Sequence, residues 1–573
     1  MLRTFVEHQF RRVSSLDGLW EFMPVEANGQ DEAPGCYSRR IEVPSAWETL
    51  PDLRGFCGIG WYRKTIRLAS KGNLRLVFGG VSHTATVFVD GQQAGHHYDA
   101  FTPFDVVLPH LEAGEHELVV KVDNTFGDHS ALHIPNDYYT YGGITRPVEL
   151  HEVGDLFLDK LFATPKRDES GWSLSCRVRI RNIGQTARAG TVCLSVADHS
   201  ATLDLPEVAP GASVEVETEL FPDSVETWSS ETPVLYILEA RLMRDGICVD
   251  DKRDRVGFRE IRVEGPDLLL NGAPLRLRGF NRHEDHPQFG CAVPPAGMAL
   301  DLAIFEDLHC NFLRTSHYPN DQRLLDMCDE RGIYVWEESH SRQTPFQKPM
   351  FDAQIRQSTI EMVENHFNHP CILMWGSLNE CDTKSDYGVE VHREVLGLLK
   401  QLDFSRPTTF AGHLGTSDRC LGFADIVSWN IYVGWYLGQP ERTAADLEER
   451  LRWLDSPESL GGANKPLIIS EFGAGAIPGV RNPQADPWSE EFQCVVLDEA
   501  LKVYLNHPRV TGAAIWQFCD VRVTREGNSE TYNAYSAMGR PRCMNNKGVV
   551  DEYRRPKLSY EVVKRHFQSF QTD

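Results

Sequence analysis

The sequence predicts a multidomain protein in which a jelly-roll-like β-sandwich and an immunoglobulin-like β-sandwich precede a C-terminal (β/α)8 TIM barrel. Up to residue 262 the chain consists of short, alternating apolar runs separated by turns, which is typical of antiparallel sandwiches. After residue 262, strand-like runs alternate with helix-like runs. The length of 573 residues also exceeds that of one ordinary domain of about 150 residues.

The first predicted domain covers residues 1–152. Its runs "LRLVFGGV" and "HELVVKV" have the short, apolar-rich texture of strands. The run "TATVFVDGQQAGHH" contains Asp90-Gly91, a dipeptide that favours a hairpin turn. These features indicate an antiparallel, jelly-roll-like sandwich.

The second predicted domain covers residues 153–262. The runs "WSLSCRVRIRNIG", "ASVEVETELF" and "VLYILEARL" are spaced as in a small sandwich of roughly 100 residues. The segment "VGFREIRVEG", Val256–Gly265, closes this region. The spacing indicates an immunoglobulin-like sandwich.

The third predicted domain, residues 263–573, contains eight strand-helix units. For example, "FLRTSHY" precedes "DQRLLDMCDERG", and "ILMWGSLNE" precedes "GVEVHREVLGLLKQL". The fifth strand, "TTFAGH", has an irregular continuation, and the eighth, "VTGAAIWQF", reaches its helix only after a long polar loop, Val521–Met544. Eight units in about 310 residues match the size of a TIM barrel with added loops.

The overall charge argues against two classes of partner. Lysine and arginine total 58 and acidic residues total 82, so the net charge is −24. Nucleic acids and anionic membranes both require a basic face, and we expect neither as a partner. The N-terminus "MLRTFVEHQFRRVSS" lacks a signal-peptide core, and no run reaches the roughly 18 apolar residues of a membrane span. Because the cysteines occur singly, we expect a soluble protein of the reducing cytoplasm.

Polar side chains collect at the ends of the predicted barrel strands. They are Arg282, His283 and Asp285 on the first strand, His317 on the second, Glu338 and His340 on the third, Asn379 and Glu380 on the fourth, Asn430 and Tyr432 on the sixth, Glu471 on the seventh and Trp516 on the eighth. The carboxyl ends of the strands form the active face of a TIM barrel. Any one of these residues could serve only a structural hydrogen-bond network, but together they predict a site.

Two carboxylates in this set follow buried runs directly. Glu380 follows "ILMWGSLN" and Glu471 follows "PLIIS", on strands that face each other across the barrel mouth. Such a pair suits cleavage of a glycosidic bond, at a carboxyl separation of about 5 to 5.5 Å if configuration is retained. Trp516 and Tyr432 suit the apolar faces of sugar rings. Since two close carboxyls resist ionising together, we expect Glu380 to hold a proton and Glu471 to be charged.

These motifs resemble those of glycoside hydrolase family 2, and within it those of the β-glucuronidases. The segment "RTSHYPNDQRLLDMCDERGIYV", Arg314–Val335, is similar to a signature of that family. "NECD" and "SEFG" stand where its acid/base and nucleophile motifs stand, and "SLDGLWEF" and "VGFREI" resemble parts of its sandwich domains. The resemblance extends over nearly the whole chain.

The resemblance implies roles for individual residues. It makes Glu380 the acid/base, Glu471 the nucleophile, Asn379 the partner of the sugar 2-hydroxyl, Tyr432 a hydrogen-bond donor to the nucleophile, and Asn430, Tyr436 and Trp516 the lining of the sugar pocket. It also implies that Asp137, in "PNDYYTYGG", reaches the pocket from the first domain, and that Asn545 and Lys547, in "MNNKGVV", bind the uronate carboxylate. From their strand-end positions, His283, His317 and His340 are further predicted substrate-binding residues.

The sequence departs from that pattern in two places. The segment after Glu338, "SHSRQTPFQKP", is short, which predicts an open mouth and larger or polymeric substrates. Within it, Arg342 could offer a second cation to a carboxylate, and this keeps a galacturonide substrate in view. An arginine expected shortly before Asn545 has no clean match, although Arg540 and Arg542 are candidates.

The sequence therefore predicts a retaining exo-β-glucuronidase that releases terminal β-D-glucuronic acid from conjugates or oligosaccharides through a covalent glycosyl-enzyme intermediate. We expect no metal, no organic cofactor, and assembly into a homo-oligomer. A β-galacturonidase or β-galactosidase with the same machinery is the nearer alternative. An inactive carbohydrate-binding protein is the more distant alternative, and the presence of both Glu380 and Glu471 argues against it.

Overall fold

The computed structural model describes residues 1–26, 32–169, 171–524 and 540–570, without the side chain of residue 542. Two β-sandwiches precede a closed eight-stranded parallel barrel, which confirms the predicted fold class. Within the described ranges, no helix combines the length and the apolar character needed to cross a bilayer.

The first sandwich packs a four-stranded sheet against a six-stranded sheet, with a two-stranded pair beside them. Its strands are β1 (Arg12–Ser15), β2 (Gly18–Glu26), β3 (Arg39–Val43), β4 (Gly58–Leu68), β5 (Gly72–Phe78), β6 (Val81–Ser82), β7 (Thr84–Val89), β8 (Gln92–Tyr98), β9 (Phe104–Leu111), β10 (Gly114–Asp123), β11 (Gly143–Ile144) and β12 (Val148–Val153). The sheet orders are β1-β12-β5-β9 and β3-β2-β4-β10-β7-β8. The β7–β8 hairpin turns at Asp90 and Gly91, which both have positive φ, as a tight hairpin turn requires.

The second sandwich has a three-stranded and a four-stranded antiparallel sheet. Its strands are β13 (Leu156–Asp168), β14 (Gly171–Asn182), β15 (Arg188–Val196), β16 (His199–Val208), β17 (Ser213–Leu220), β18 (Tyr236–Arg244) and β19 (Ile247–Val256). Alternate residues of β14, including Cys176, Val178 and Ile180, are buried between the sheets. This strict alternation explains why the strands could be recognised in the sequence.

A small sheet leads into the barrel. It consists of β20 (Ile261–Glu264), β21 (Asp267–Leu270) and β22 (Ala273–Pro274). The barrel strands are β23 (Leu277–Asn281), β24 (Phe312–Arg314), β25 (Tyr334–Glu338), β26 (Ile372–Asn379), β27 (Thr408–Gly412), β28 (Val427–Asn430), β29 (Leu467–Phe472) and β30 (Val510–Ile515). Strand β26 is buried along its full length, because a barrel strand is covered by helices outside and side chains inside.

Helices cover the outside of the barrel. They are α1 (Pro295–Asp307), α2 (Gln322–Arg331), α3 (Phe351–His366), α4 (Asp386–Leu402), α5 (Thr443–Leu454), α6 (Glu490–Tyr504) and α7 (Ser559–Ser569). The fully described segment after β27 forms two 3-10 turns in place of an α-helix, as the irregular sequence there predicts. Helix α2 shows clear end signals: the Asp321 side chain caps its N-terminus, and Gly332 takes the left-handed conformation after its last turn.

The predicted long loop after the eighth strand begins and ends in a short β-pair. Its ends form the two-stranded antiparallel pair β31 (Val521–Arg522) and β32 (Met544–Asn545). Residues 525–539 of that loop lie outside the described residues. The described pair brings residue 545 back to the barrel mouth.

The first sandwich packs directly against the barrel mouth. Arg146 of the sandwich forms a 2.8 Å ion pair with Glu284 at the end of β23. The Tyr141 hydroxyl donates to Asp285 over 3.2 Å. Both pairs are buried, so they fix the segment between β10 and β11 over the carboxyl ends of the strands. That segment contains Asp137.

Candidate active site

A cavity of about 650 Å³ opens at the carboxyl ends of the barrel strands. The predicted residues that line it are Asp137, Arg342, Glu380, Asn430, Tyr432, Tyr436, Glu471, Trp516 and Lys547. Further lining comes from Asn136, Gln343, His413 and Arg540, among others. Because Asp137 belongs to the first sandwich, the cavity is built by two domains.

Glu380 follows the last residue of β26 and has a left-handed backbone, with φ of 50°. A non-glycine residue in this region carries strain, which the surrounding structure must hold. Its Oε1 accepts a 2.9 Å hydrogen bond from Asn430 Nδ2, and its Oε2 accepts one of 2.9 Å from Gln343 Nε2. Arg342 Nη2 lies 3.8 Å from Oε2. The carboxylate is therefore fixed by groups from two other strand ends, Asn430 of β28 and the Arg342–Gln343 segment that follows β25.

Glu471 lies near the end of β29 and is almost fully buried. Its Oε1 accepts a 3.0 Å hydrogen bond from Arg314 Nη1. Its Oε2 accepts a 2.7 Å hydrogen bond from the Tyr432 hydroxyl. Both donors favour the ionised form and hold the carboxylate in one orientation.

Arg314 is the central cation of the site, and the sequence reasoning gave it no role. It ends β24, is fully buried, and donates from Nε and Nη2 to both oxygens of Glu338 at 3.0 Å. It also donates to Asn379 Oδ1 over 2.8 Å and to Asn281 Oδ1 over 2.9 Å. A charged residue ending the buried run "FLR" is the same signal that identified the two carboxylates.

The two carboxyls influence each other's ionisation. Burial, reinforced by the charge of Glu380, raises the pKa of Glu471 to about 7, against the effects of Arg314 and Tyr432. Burial also acts to raise the pKa of Glu380, but Arg342 and His413 outweigh it, and this pKa is lowered. In the free protein the shared proton is therefore placed on Glu471, the reverse of the expected distribution. The reason is Arg342, whose position beside Glu380 the sequence could not show.

A second group of side chains forms a cationic wall. Arg540 donates from Nε and Nη2 to the two oxygens of Asp137, at 2.5 and 2.6 Å. Asn545 Nδ2 donates to the same carboxylate over 3.0 Å. Arg540, one of the two candidates for the arginine expected before Asn545, thus lines the cavity. The side chain of the other candidate, Arg542, lies outside what the structure describes.

Lys547 belongs to the same wall and is 3% exposed. Its ammonium lies 5.4 Å from the ring centre of Tyr436 and 5.6 Å from that of Trp435. Burial, together with the charge of Arg540, lowers its pKa. No carboxylate among the described residues lies within ion-pair distance of it. The cavity thus contains a buried ammonium without an anionic partner.

Three other predicted residues lie behind the lining of the cavity. Asn379 accepts from Arg314, and its Nδ2 has no partner among the described residues. His317 hydrogen-bonds Glu338 over 2.8 Å, and its ring stacks on Trp516 with centroids 5.0 Å apart. His283 meets the Trp516 ring edge-on, with centroids 5.4 Å apart. They support the lining and, together with Asn545, do not form part of it.

His340 lies away from the cavity. This position differs from the expectation that His340 contacts the substrate. Its Nε2 is 3.2 Å from the Tyr138 hydroxyl, and its ring packs against His133, both in the first sandwich. The strand-end rule predicts where a residue lies along the barrel axis, but not which way its side chain points. Arg282 is likewise structural, since it pairs with Asp301 at 2.8 Å.

Three known family models match the chain domain by domain. The sugar binding domain of glycosyl hydrolases family 2 matches residues 13–153, the family's middle region matches residues 156–259, and its TIM barrel domain matches residues 261–572. Together these matches extend over nearly the entire chain.

Similar proteins have been described in several bacteria. A crystal structure of a GH2 β-galacturonidase from Eisenbergiella tayi bound to galacturonate is 44% identical, with 100% of both chains covered and a TM-score of 0.93. A β-glucuronidase structure from Bacteroides uniformis is 26% identical, covers 98% of this chain and 70% of that chain, and has a TM-score of 0.84. A β-glucuronidase of Streptococcus agalactiae is 26% identical, with 98% of this chain and 96% of that protein covered.

Proposed function

Because the chain belongs to glycosyl hydrolases family 2, and is thus a glycoside hydrolase, we propose that it is a retaining exo-hydrolase of β-linked uronic acids. The two candidate substrates are β-galacturonides and β-glucuronides. The observation that carries the proposal is Lys547, a buried ammonium that faces the same cavity as Glu380 and Glu471 and has no anionic partner among the described residues.

A buried cation without a counter-ion is costly, so its presence indicates an anionic ligand. Asp137 cannot meet this need, because Arg540 holds both of its oxygens. A neutral sugar would leave the ammonium of Lys547 without a counter-charge. The carboxylate on C5 of a uronic acid would supply one and would also meet the positive charge of Arg342 along the cavity.

The roles of the two carboxylates follow from their surroundings. We assign Glu471 as the nucleophile, since Arg314 and Tyr432 hold it in place and stabilise its ionised form. We assign Glu380 as the acid/base, which protonates the leaving oxygen and then activates water against the glycosyl-enzyme ester. We assign Asn379 to the sugar 2-hydroxyl, since it directly precedes Glu380 and its Nδ2 has no partner in the described structure, although its side chain lies behind the lining of the cavity.

Substrate binding also supplies the correct protonation in this mechanism. In the free protein the charge of Arg342 lowers the pKa of Glu380. A substrate carboxylate that pairs with Arg342 would weaken this effect, so the pKa of Glu380 would rise and the shared proton would move to it. Glu471 would then be ionised and ready to attack the anomeric carbon.

The choice between the two uronic acids rests on two observations. The Eisenbergiella tayi β-galacturonidase shares 44% of its residues with this chain over its full length, whereas the β-glucuronidases described above share 26%. Arg342 also lines the cavity as an additional cation. We therefore expect the β-galacturonide to be the better substrate, with the β-glucuronide second.

A panel of para-nitrophenyl glycosides tests this proposal. We expect kcat/KM on the β-galacturonide and the β-glucuronide to exceed that on the β-galactoside and the β-glucoside by about 100-fold, the ratio for roughly 2.7 kcal/mol. Proton NMR of the first released uronic acid should show the β-anomer. The fastest turnover on the β-galactoside would overturn the uronide proposal, and an α-anomer would overturn the retaining mechanism.

A further inference from the structure

We propose that Asp99, His133 and His340 form a binding site for one divalent transition-metal ion, which joins the first sandwich to the barrel. Asp99 and His133 belong to the sandwich, and His340 follows strand β25 of the barrel. We refer to these three residues as the interdomain triad. It lies outside the cavity that contains Glu380 and Glu471.

The triad has the geometry of an open coordination shell. All three side chains are at most 2% exposed, and one ligand atom from each lies within 4.8 Å of the others. His340 Nδ1 is 3.7 Å and His133 Nε2 is 4.0 Å from Asp99 Oδ1. These separations are too long for hydrogen bonds, but two ligands on one tetrahedral zinc ion lie about 3.3 to 3.6 Å apart, so a small contraction would complete the shell.

The two facing ring nitrogens are also unsatisfied. Within the described part of the chain, His133 Nε2 and His340 Nδ1 have no hydrogen-bond partner. Asp99 Oδ1, the oxygen that faces both, accepts a 3.1 Å hydrogen bond from the Phe101 amide and has a second lone pair, while Oδ2 has no partner. Buried polar atoms are rarely left unpaired, and two such nitrogens directed at one carboxylate indicate a missing ligand. The buried Ser358 hydroxyl lies near the Asp99 carboxylate and could serve as a fourth ligand of the ion.

The outer nitrogens of the two histidines are held by tyrosines. The Tyr98 hydroxyl lies 2.9 Å from His133 Nδ1, and the Tyr138 hydroxyl lies 3.2 Å from His340 Nε2. Such outer contacts fix the orientation of metal-binding imidazoles. Asp99 itself is held at a φ of 122°, a conformation that side chains other than glycine seldom adopt. The two inner ring nitrogens are thereby directed toward its carboxylate.

The donor set selects the class of ion. Two imidazole nitrogens and one carboxylate oxygen suit zinc and its first-row neighbours, whereas calcium and magnesium prefer oxygen ligands. A second group, Asp329, His369 and Cys371, has similar spacing but is already satisfied, because Asp329 accepts from His369 Nδ1 at 2.6 Å and from the Cys371 amide at 2.9 Å. Of these two groups in the described part of the chain, the interdomain triad is the one in which the ring nitrogens that face the carboxylate lack partners.

The position of the triad gives the ion a positioning role. His340 lies two residues before Arg342, which lines the catalytic cavity beside Glu380. An ion held by the sandwich and by His340 would tether this segment to the sandwich and fix the location of Arg342. No step of the hydrolysis passes through the ion.

Metal analysis of the full chain tests the proposal. The wild type, Asp99→Asn and His133→Gln are incubated with zinc chloride, desalted and analysed by mass spectrometry and thermal melting. We expect about one more zinc ion per chain in the wild type than in either variant, and a melting temperature that zinc raises only in the wild type. His392→Gln is the matched control, because His392 is fully buried with two unpaired ring nitrogens but lies outside the triad.

The chain contains 14 free cysteines, so total zinc alone is not the decisive quantity. Equal zinc content in the wild type and both triad variants would overturn the proposal. If the variants fail to fold, X-ray absorption of the zinc-loaded wild type decides the outcome. A shell of nitrogen and oxygen with imidazole scattering supports the triad, and a sulfur shell or no retained zinc overturns it.

Discussion

Arg314 Nη1 donates a 3.0 Å hydrogen bond to Oε1 of Glu471. The same guanidinium donates two hydrogen bonds to Glu338, and these fix the plane in which it also contacts Glu471. All three side chains are buried, and a fixed charge in such surroundings acts strongly on its neighbour. The orientation of the proposed nucleophile therefore depends on a residue from another strand.

The first prediction concerns this contact. Arg314→Lys keeps the positive charge but loses the planar guanidinium group. A lysine therefore cannot donate hydrogen bonds to Glu338 and Glu471 together in the same geometry. We expect kcat/KM to fall by about 100-fold, or roughly 2.7 kcal/mol, with most of the loss in kcat. The control is Arg282→Lys, which removes an equally buried guanidinium group, one that pairs with Asp301. Equal losses of activity in the two variants would contradict a specific role for Arg314.

The second prediction concerns the other oxygen of Glu471. The Tyr432 hydroxyl favours the charged carboxylate and lowers its pKa, so Tyr432→Phe should raise this pKa above its value of about 7. The single proton that the two carboxyls share should then be kept to a higher pH. The measurement is the basic limb of kcat/KM against pH, which reports loss of this proton and should move upward. A basic limb that stays in place would show that another group controls it.

The third prediction reverses that shift. The charge of Glu380 raises the pKa of Glu471, and Glu380→Gln removes this charge. In the variant no proton is shared, so the basic limb of the pH profile should disappear, the remaining activity should require only ionised Glu471, and turnover should fall. Because Glu380 is the proposed proton donor, the loss should be large for alkyl leaving groups and small for activated aryl leaving groups. Equal losses for the two leaving groups would argue against the assignment.

The sequence could predict the fold and the two carboxylates for a shared reason. Strand periodicity and buried runs are local signals, and Glu380 and Glu471 stand directly at the ends of such runs. Long-range pairings have no local signal. The contact between Arg540 and Asp137 joins residues 403 positions apart, and the interdomain triad is similarly dispersed. The expected homo-oligomer and the 5 to 5.5 Å carboxyl separation of a retaining enzyme stay predictions.

The fourth prediction concerns the contribution of the first sandwich. Asp137→Asn removes the charge that holds Arg540, so kcat/KM should fall and the melting temperature should drop. Burial opposes ionisation of Asp137, but Arg540 outweighs it and lowers the pKa to about 2. A lowered folded pKa adds stability that is lost only as pH falls from about 4 toward 2. The melting difference between wild type and variant should thus be constant from pH 5 to 8, and a difference that disappears at pH 6 would contradict this pairing.

The fifth prediction concerns Lys547 and the substrate carboxylate. Lys547→Ala should lower kcat/KM on both uronides by about 100-fold, because it removes the buried partner of a desolvated anion. It should change turnover of the galactoside and glucoside far less, since these sugars offer the lysine no charge. The control is Lys465→Met, because Lys465 is partly buried against backbone carbonyls away from the cavity. That variant should leave the ratio of uronide to neutral-sugar turnover unchanged.

A companion variant, Arg342→Ala, separates the two ways in which the carboxylate could be bound. Arg342 lies 3.8 Å from Glu380, so its loss also removes the charge that lowers the pKa of that carboxyl. If Lys547 binds the carboxylate and Arg342 mainly tunes Glu380, Arg342→Ala should raise the basic limb of the pH profile and affect all four glycosides. If Arg342 binds the carboxylate, Arg342→Ala should lower kcat/KM on the two uronides alone. A decrease confined to the galacturonide would make Arg342 the residue that distinguishes the two uronic acids. Lys547→Ala with undiminished uronide turnover would remove the basis of the uronide proposal.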